Sequence, residues 1–407
     1  MTGDTSRFDP MIVYCENRHP QAPDTSAFSR QVGERVLRLH RMHSAYAVTP
    51  LVSLSALARQ RHVGHILVKD ESFRFGLKAF KGLGGLYAMF RMICDALSLD
   101  PSKTTLESLQ REPFASRIRD MVFVTTTDGN HGKGVSWAAG VFGCQAHVFM
   151  PAGTVEVRAQ AIRNAGNADV QITDMPYDAC VQHTRALAAE NGWYLIQDTA
   201  WTGYETVPLY IMQGYLTILE ETEQQLRVMG VPAPTHVFLQ CGVGSMAGAI
   251  AAGCRERFAV QPRFFLAEPV EVACFYESFL RADGHMHTAT GNGRTQMAGL
   301  NCATPCTLAW DILGKCATGA FACDDSVMET GMRRLGVPCP GDARIVSGES
   351  GAVTLGLLEC LLTESRWESW REKVQLNEKS VILLISTEGD TDPAHYHTVM
   401  AHTVKDA

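Results

Sequence analysis

The stretch RFGLKAFKGLGG (74–85) sets Lys78 and Lys81 three residues apart, the second running straight into glycines. A lysine in such a place is either a solvated charge or a nucleophile. An amine desolvated beside an aromatic ring gives up its proton more easily and can attack a carbonyl carbon near neutral pH. Lys81 follows Phe80 and precedes Gly82, Gly84 and Gly85, a turn in which a flat ring could approach the backbone, so it is the expected nucleophile. Lys78, one helical turn earlier, is expected in solvent.

Three more segments carry groups suited to the same chemistry. In TTTDGNHGKG (125–134), Thr127, Gly129, Asn130 and the loop amides converge as donors, with Lys133 the one fixed positive side chain. That set suits a carboxylate held by Thr127 and Gly129, leaving Asn130 to hydrogen-bond a ring hydroxyl. In CGVGSMAG (241–248), Gly242 and Gly244 let the amides of Val243, Ser245 and Met246 turn toward one point at a helix start. Such a cradle holds an anion, most naturally a phosphate. In LLISTEGDTDP (383–393) a buried strand drops into the hydroxyls of Ser386 and Thr387, and a hydroxyl there can meet a heteroaromatic nitrogen without protonating it.

Two carboxylates complete the candidates. Asp128 could meet a substrate ammonium or act as acid or base at reacting carbons, or it could cap the helix that follows. Asp198, in LIQDTAW, is the second candidate acid, or else a buried turn acid bonded to backbone. His131 sits in a tight turn and is expected to pack beneath the loop rather than touch substrate. The glycine loop alone also admits a dinucleotide reading, with Glu268 about where a ribose-binding acid would stand. Its spacing, G-x-G-x-x-x-G, departs from that fingerprint.

Strand–turn–helix units must position these loops. MVFVTTTDGNHGKGVSWAAGVFG, QAHVFMPAG with TVEVRAQAIRNAG, and ADVQITD with YDACVQHTRALAAENG read as three such units, followed by the strand WYLIQD. LYIMQGYLTILEETEQQL reads as one long helix, and THVFLQCGVGSMAGAIAAGCRERF as another strand–loop–helix. RFFLAEP and SVILLISTEGD read as strands, and 281–306 as an irregular loop over or beside a site. Alternating β and α with short connections predicts an α/β protein of two domains, with mostly parallel sheets covered by helices. Residues 1–87 and 196–407 are expected to form the larger domain and 88–195 a smaller mobile one, with the ligand in the cleft between them.

Composition narrows the function classes. The 407 residues include 46% hydrophobic and 19% charged residues, ample for a folded core. A formal charge of −7 and the lack of basic runs argue against a nucleic-acid partner. No run of apolar residues is long enough to span a membrane, and the first residues lack a signal-peptide pattern. The 13 cysteines are scattered without a C-x-x-C, which suits reduced cytoplasmic thiols and no metal. A bridge from Cys274 to Cys302 across the glycine-rich segment stays open.

Taken together, the lysine stretch and the three loops resemble the tryptophan-synthase-β-like pyridoxal-phosphate enzymes (fold type II), whose motifs occur here in the same order across residues 73–392. Within that group RFGLKAFKGLGG, TTTDGNHGKGVSWAA, QDTAWTGYETVPLYIMQGY, QCGVGSMAG and STEGDTDP are similar to the diaminopropionate ammonia-lyases. The resemblance implies pyridoxal 5'-phosphate bound covalently at Lys81, contacted by Asn130, Gly242, Val243, Gly244, Ser245, Met246, Ser386 and Thr387. It also implies Asp128 and Asp198 as the working acids, and elimination of D- and L-2,3-diaminopropionate to pyruvate and ammonia. A cytoplasmic homodimer acting in amino-acid catabolism follows from the same likeness. Gly82, where a larger apolar residue is common, and the charge of Lys78 are departures that could widen substrate choice. A serine or threonine dehydratase-like lyase therefore stays open, as does an NAD-dependent dehydrogenase from a different class.

Overall fold

The computed structural model describes residues 12–127 and 129–401 and divides the chain into two compact units, each built on its own sheet. The first unit takes residues up to 25, 49–73 and 221 onward, and the second takes 26–48 and 74–220. The expected boundaries shift accordingly. Residues 74–87 and 196–220 belong with the four-stranded sheet, so Lys81 and Asp198 share a unit with the Asn130 loop. The cause is helix packing, because the helix Lys81–Leu97 lies against the helices Asn130–Phe142 and Thr206–Gly214.

The strands run β1 (Ile12–Glu16), β2 (Leu51–Ser53), β3 (His65–Asp70), β4 (Val122–Thr126), β5 (Gln145–Met150), β6 (Ala168–Ile172), β7 (Tyr194–Leu195), β8 (His236–Gln240), β9 (Arg263–Pro269), β10 (Ala317–Cys323) and β11 (Val381–Ser386). In the first unit the order is β1-β10-β9-β8-β11-β3-β2, parallel except where β1 and β2 pair antiparallel at the two edges. Every residue of β8 and β11 is buried, as expected of central parallel strands with both faces covered. Phe238, Phe265, Phe321, Ile382 and Leu384 pack there with Leu355 and Leu358 of the helix Glu349–Thr363. The second unit carries the parallel sheet β6-β5-β4-β7. Among the described residues no helix is long and apolar enough to cross a membrane.

Several local expectations change. The stretch WYLIQD pairs as a strand only at Tyr194–Leu195. Beyond it the side-chain amide of Gln197 takes over, donating to the Thr126 carbonyl at 2.9 Å and accepting from the Thr126 amide at 3.0 Å. The expected long helix is two, Thr206–Gly214 and Leu216–Met229. Gly214 is pressed against Leu83 and Gly84, where a β-carbon would meet the Leu83 carbonyl at 2.6 Å.

The glycines behind Lys81 form no turn; they lie within the helix Lys81–Leu97. A β-carbon on Gly84 would meet Tyr215 at 2.7 Å, and one on Gly85 would meet the Gly134 carbonyl at 3.0 Å. They admit neighbouring helices rather than a ring, at about 0.5–1 kcal/mol of helix propensity each. At Gly82 a larger side chain would displace Leu77, 2.7 Å from the β-carbon position.

Candidate active site

Lys81 is the first residue of its helix, where the macrodipole opposes a cation. Its half-buried amine donates to Oδ2 of Asp198 at 2.5 Å and lies 5.4 Å from the centre of the Phe80 ring. The amine expected as nucleophile is thus held in an ion pair instead of resting as a lone desolvated amine. Phe80 packs in turn against Tyr215, with ring centres 4.8 Å apart and the planes tilted by 57°. Lys78 is exposed, as expected, and its backbone is left-handed (φ 56°).

Asp198 stands in the loop after β7, anchored by its neighbours. Besides the pairing of Gln197 with the end of β4, the Gln197 amide donates to the Tyr204 hydroxyl at 2.8 Å, and that hydroxyl donates to the Leu195 carbonyl at 3.0 Å. Burial alone would raise the Asp198 carboxyl. The positive charge that His131 can take and the one that Lys81 carries outweigh it and hold the group well below the usual carboxylate range. Burial pushes the hydroxyls of Tyr204 and Tyr215 up, which keeps both neutral. Tyr215, Gln197 and Tyr204 went unrecognised in the sequence reading, although all three lie inside the segment QDTAWTGYETVPLYIMQGY.

His131 packs beneath its loop as expected, 4% exposed, with Nε2 2.8 Å from the Ile196 carbonyl oxygen. Its Nδ1 lies 3.8 Å from Asp198 Oδ2, a proximity that its place in the turn did not announce. The Thr127 hydroxyl accepts from the Gly129 amide at 3.1 Å, so that amide already closes the loop. Asn130 opens the helix Asn130–Phe142. Asp128 lies outside the described residues.

In the first unit the loop after β8 leads into the helix Ser245–Arg257, with Gly244 left-handed at φ +88° and no side-chain cap. The first-turn amides of such a helix have no intrahelical partner, and the N-cap Gly244 has no side chain to cap them. A phosphate fits that cradle. The segment 281–306 packs on it: Cys306 donates to the Val243 carbonyl at 2.8 Å, and Leu300 presses on Gly242. At the end of β11 the Ser386 hydroxyl donates to Ser347 at 2.8 Å, while Thr387 accepts from Gln240 at 3.1 Å. Ser347 and Gln240 also escaped the sequence reading. These neutral hydroxyls fit a ring nitrogen that is to stay unprotonated.

Glu268 serves no ribose. It is fully buried and accepts the amides of Phe275 and Tyr276 at 2.9 and 2.8 Å, capping the helix Cys274–Arg281. Burial pushes its carboxyl up to about 8, with those amides opposing. Cys274 and Cys302 are unbridged, as are the other cysteines.

Comparison with known proteins gives the family. The family described as pyridoxal-phosphate dependent enzyme matches residues 43–388. The diaminopropionate ammonia-lyase of Escherichia coli (strain K12) is 43% identical over 397 residues, 97% of this chain and 98% of its own. Crystal structures of the Escherichia coli enzyme with D-serine and with an aminoacrylate–PLP azomethine reaction intermediate match at TM-scores of 0.90 and 0.88, each 42% identical over 97% of both chains. The dinucleotide alternative falls with them, and the chain belongs to the pyridoxal-phosphate-dependent enzymes, within the diaminopropionate ammonia-lyase family.

Proposed function

We propose that this chain eliminates the β-amino group of 2,3-diaminopropionate and acts on both enantiomers, so that substrate and one water yield pyruvate and two ammonia. The observation that carries the reading is the Lys81 ammonium held 2.5 Å from Asp198. A carboxylate already organised around one primary ammonium suits a second of the same chemistry, the β-ammonium of the substrate. A hydroxy amino acid offers no such cation, which is the physical ground for preferring this substrate to serine or threonine.

Bound pyridoxal 5'-phosphate supplies an electron sink for the bonds broken at the substrate's α-carbon. Lys81 provides the amine that attaches to it, Gly242 to Met246 hold its phosphate, and Asn130 meets its ring hydroxyl. Ser386 or Thr387 meets the ring nitrogen as a neutral partner, which moderates the sink and favours elimination over transamination. Thr127, with the loop at Gly129, anchors the substrate carboxylate. Lys81, as a free amine, would take the α-proton of the L form, and Asp128 would take that of the D form. Asp198 holds the β-ammonium until it leaves as ammonia. The complex of the Escherichia coli enzyme with D-serine supports entry of a D-amino acid into a site of this kind.

Cytoplasmic location, a role in amino-acid catabolism and a homodimer belong to the same reading; the prevalence of two-fold homo-oligomers supports the last. The test is a visible spectrum of the purified protein before and after borohydride, with pyruvate release measured from each enantiomer. A colourless protein, or one releasing pyruvate from serine but not from diaminopropionate, overturns the reading.

A further inference from the structure

His131 stands between backbone and carboxylate in an unusual way. The Ile196 carbonyl, 2.8 Å from Nε2, can only accept, so Nε2 carries the hydrogen. In the neutral ring Nδ1 then holds a lone pair. That atom is buried without a hydrogen-bond partner, 3.8 Å from the Asp198 Oδ2 that also binds Lys81. A lone pair facing a carboxylate is satisfied in one way, by a proton on Nδ1.

Asp198 and Lys81 are the charged groups reaching His131 from the elements packed on it. Tyr204 and Tyr215, around Asp198, are kept neutral by burial, and Lys133 on the same helix as His131 donates to the Leu77 carbonyl at 2.7 Å. Burial pushes the imidazole down, Asp198 pulls it up, and the charge of Lys81 pushes it down again. Discharging Lys81 removes one of the two influences that keep His131 neutral.

We propose that His131 is a positioning residue and proton store for the Lys81–Asp198 pair: as Lys81 becomes a free amine, its proton passes through Asp198 to Nδ1 of His131. One N–H bond breaks at Lys81 and one forms at His131, and the carboxylate is unchanged at the end. The imidazolium then replaces the ammonium as counter-ion, closing from 3.8 Å toward hydrogen-bond distance. Asp198 stays ionised and in place, ready for the substrate's ammonium. This inference rests on the roles given to Lys81 and Asp198 above.

Two substitutions separate the functions of the ring. His131→Gln can keep the bond to Ile196 but presents nothing to Asp198, whereas His131→Asn can keep a donor toward Asp198 that cannot take a proton. Both should slow reloading of cofactor onto the stripped protein about 10- to 100-fold at neutral pH, and both should recover as the pH is raised. Only His131→Gln should also raise KM for diaminopropionate. In native full-length protein with ¹⁵N-labelled histidine, Nδ1 of His131 should be unprotonated without cofactor and protonated in the holoenzyme. An imidazole neutral in both states, or native reloading and pH profiles in both variants, overturns the proposal. Asp198→Asn measured alongside separates the two claims: full turnover there removes the role of Asp198 itself, while a dead Asp198 variant beside native-like His131 variants removes only the relay.

Discussion

The loop after β4 and the loop after β8 look alike in outline, each a strand giving way through glycine to a helix start. Their chemistry differs. Around the first, Lys81 and His131 both come within 4 Å of the same oxygen of Asp198, and the charge of Asp198 and of His131 depends on the other groups of the trio. The second, CGVGSM, contains no charged side chain and offers backbone amides at a left-handed glycine. The same local architecture therefore serves opposite ends. On the proposed reading one loop joins a group that moves protons, and the other holds a fixed charge still. Damage to the first should appear in rate, and damage to the second in affinity.

The hardest test of that division is the lysine pair. Lys81→Ala should lower turnover by more than about 10⁴-fold and abolish the visible absorbance. Lys78→Ala, at an exposed position, should leave both within about twofold. A dead Lys78 variant beside an active Lys81 variant would reverse the assignment. Next come the acids, where removing a positioned group costs about 10²- to 10⁴-fold. Asp198→Asn should depress turnover of both enantiomers through lost hold on the β-ammonium. Asp128→Asn should depress the D form far more than the L form. Equal losses in the Asp128 variant would remove its enantiomer role.

Affinity should be the casualty in the other loop. Gly244→Ala places a methyl 2.6 Å from the Phe275 ring in a left-handed conformation, so the loop must shift. Losing one charge-assisted hydrogen bond is worth about 1.5–3 kcal/mol, a weakening of cofactor binding of roughly ten- to a hundredfold. Turnover at saturating cofactor should change little. Retention of cofactor through dialysis would deny the loop its phosphate role.

The smallest effect concerns Glu268, beside the phosphate loop but outside the chemistry. Its carboxyl is raised in the folded state, so the fold binds that proton more tightly than the unfolded chain does. Stability from this group should be full below the ordinary carboxylate range and fall as pH rises toward about 8. Melting temperature should drop by about a few degrees between roughly pH 5.5 and 8.5, and Glu268→Gln should flatten that slope. An unchanged slope in the variant would assign the pH dependence elsewhere.

Much of this was readable in the chain. The strands at 236–240 and 263–269 follow the apolar runs, because a parallel strand buried on both faces needs continuous apolar side chains. Local context likewise singled out Lys81, which the fold pairs with Asp198, over Lys78, which it leaves exposed. Burial of His131 was foreseen, but its ring facing Asp198 was not, since 67 positions separate them and periodicity is silent at that range. The glycines after Lys81 misled, because a helix that admits neighbours closely and a turn that admits a ring both call for missing side chains.

By itself the sequence determined which groups this protein could use: an amine after an aromatic, two carboxylates at strand ends, an amide cradle without charge, and neutral hydroxyls closing a buried strand. Those follow from residue type and short spacing, which act within a few residues. Only the tertiary structure decided that Lys81 is ion-paired to Asp198, that His131 reaches the same oxygen, and that Glu268 caps a helix instead of meeting a ligand. Burial and long-range pairing set the charge of each, because a carboxylate's state depends on what is packed around it. That packing emerges when helices from distant parts of the chain meet at glycines such as Gly84 and Gly134.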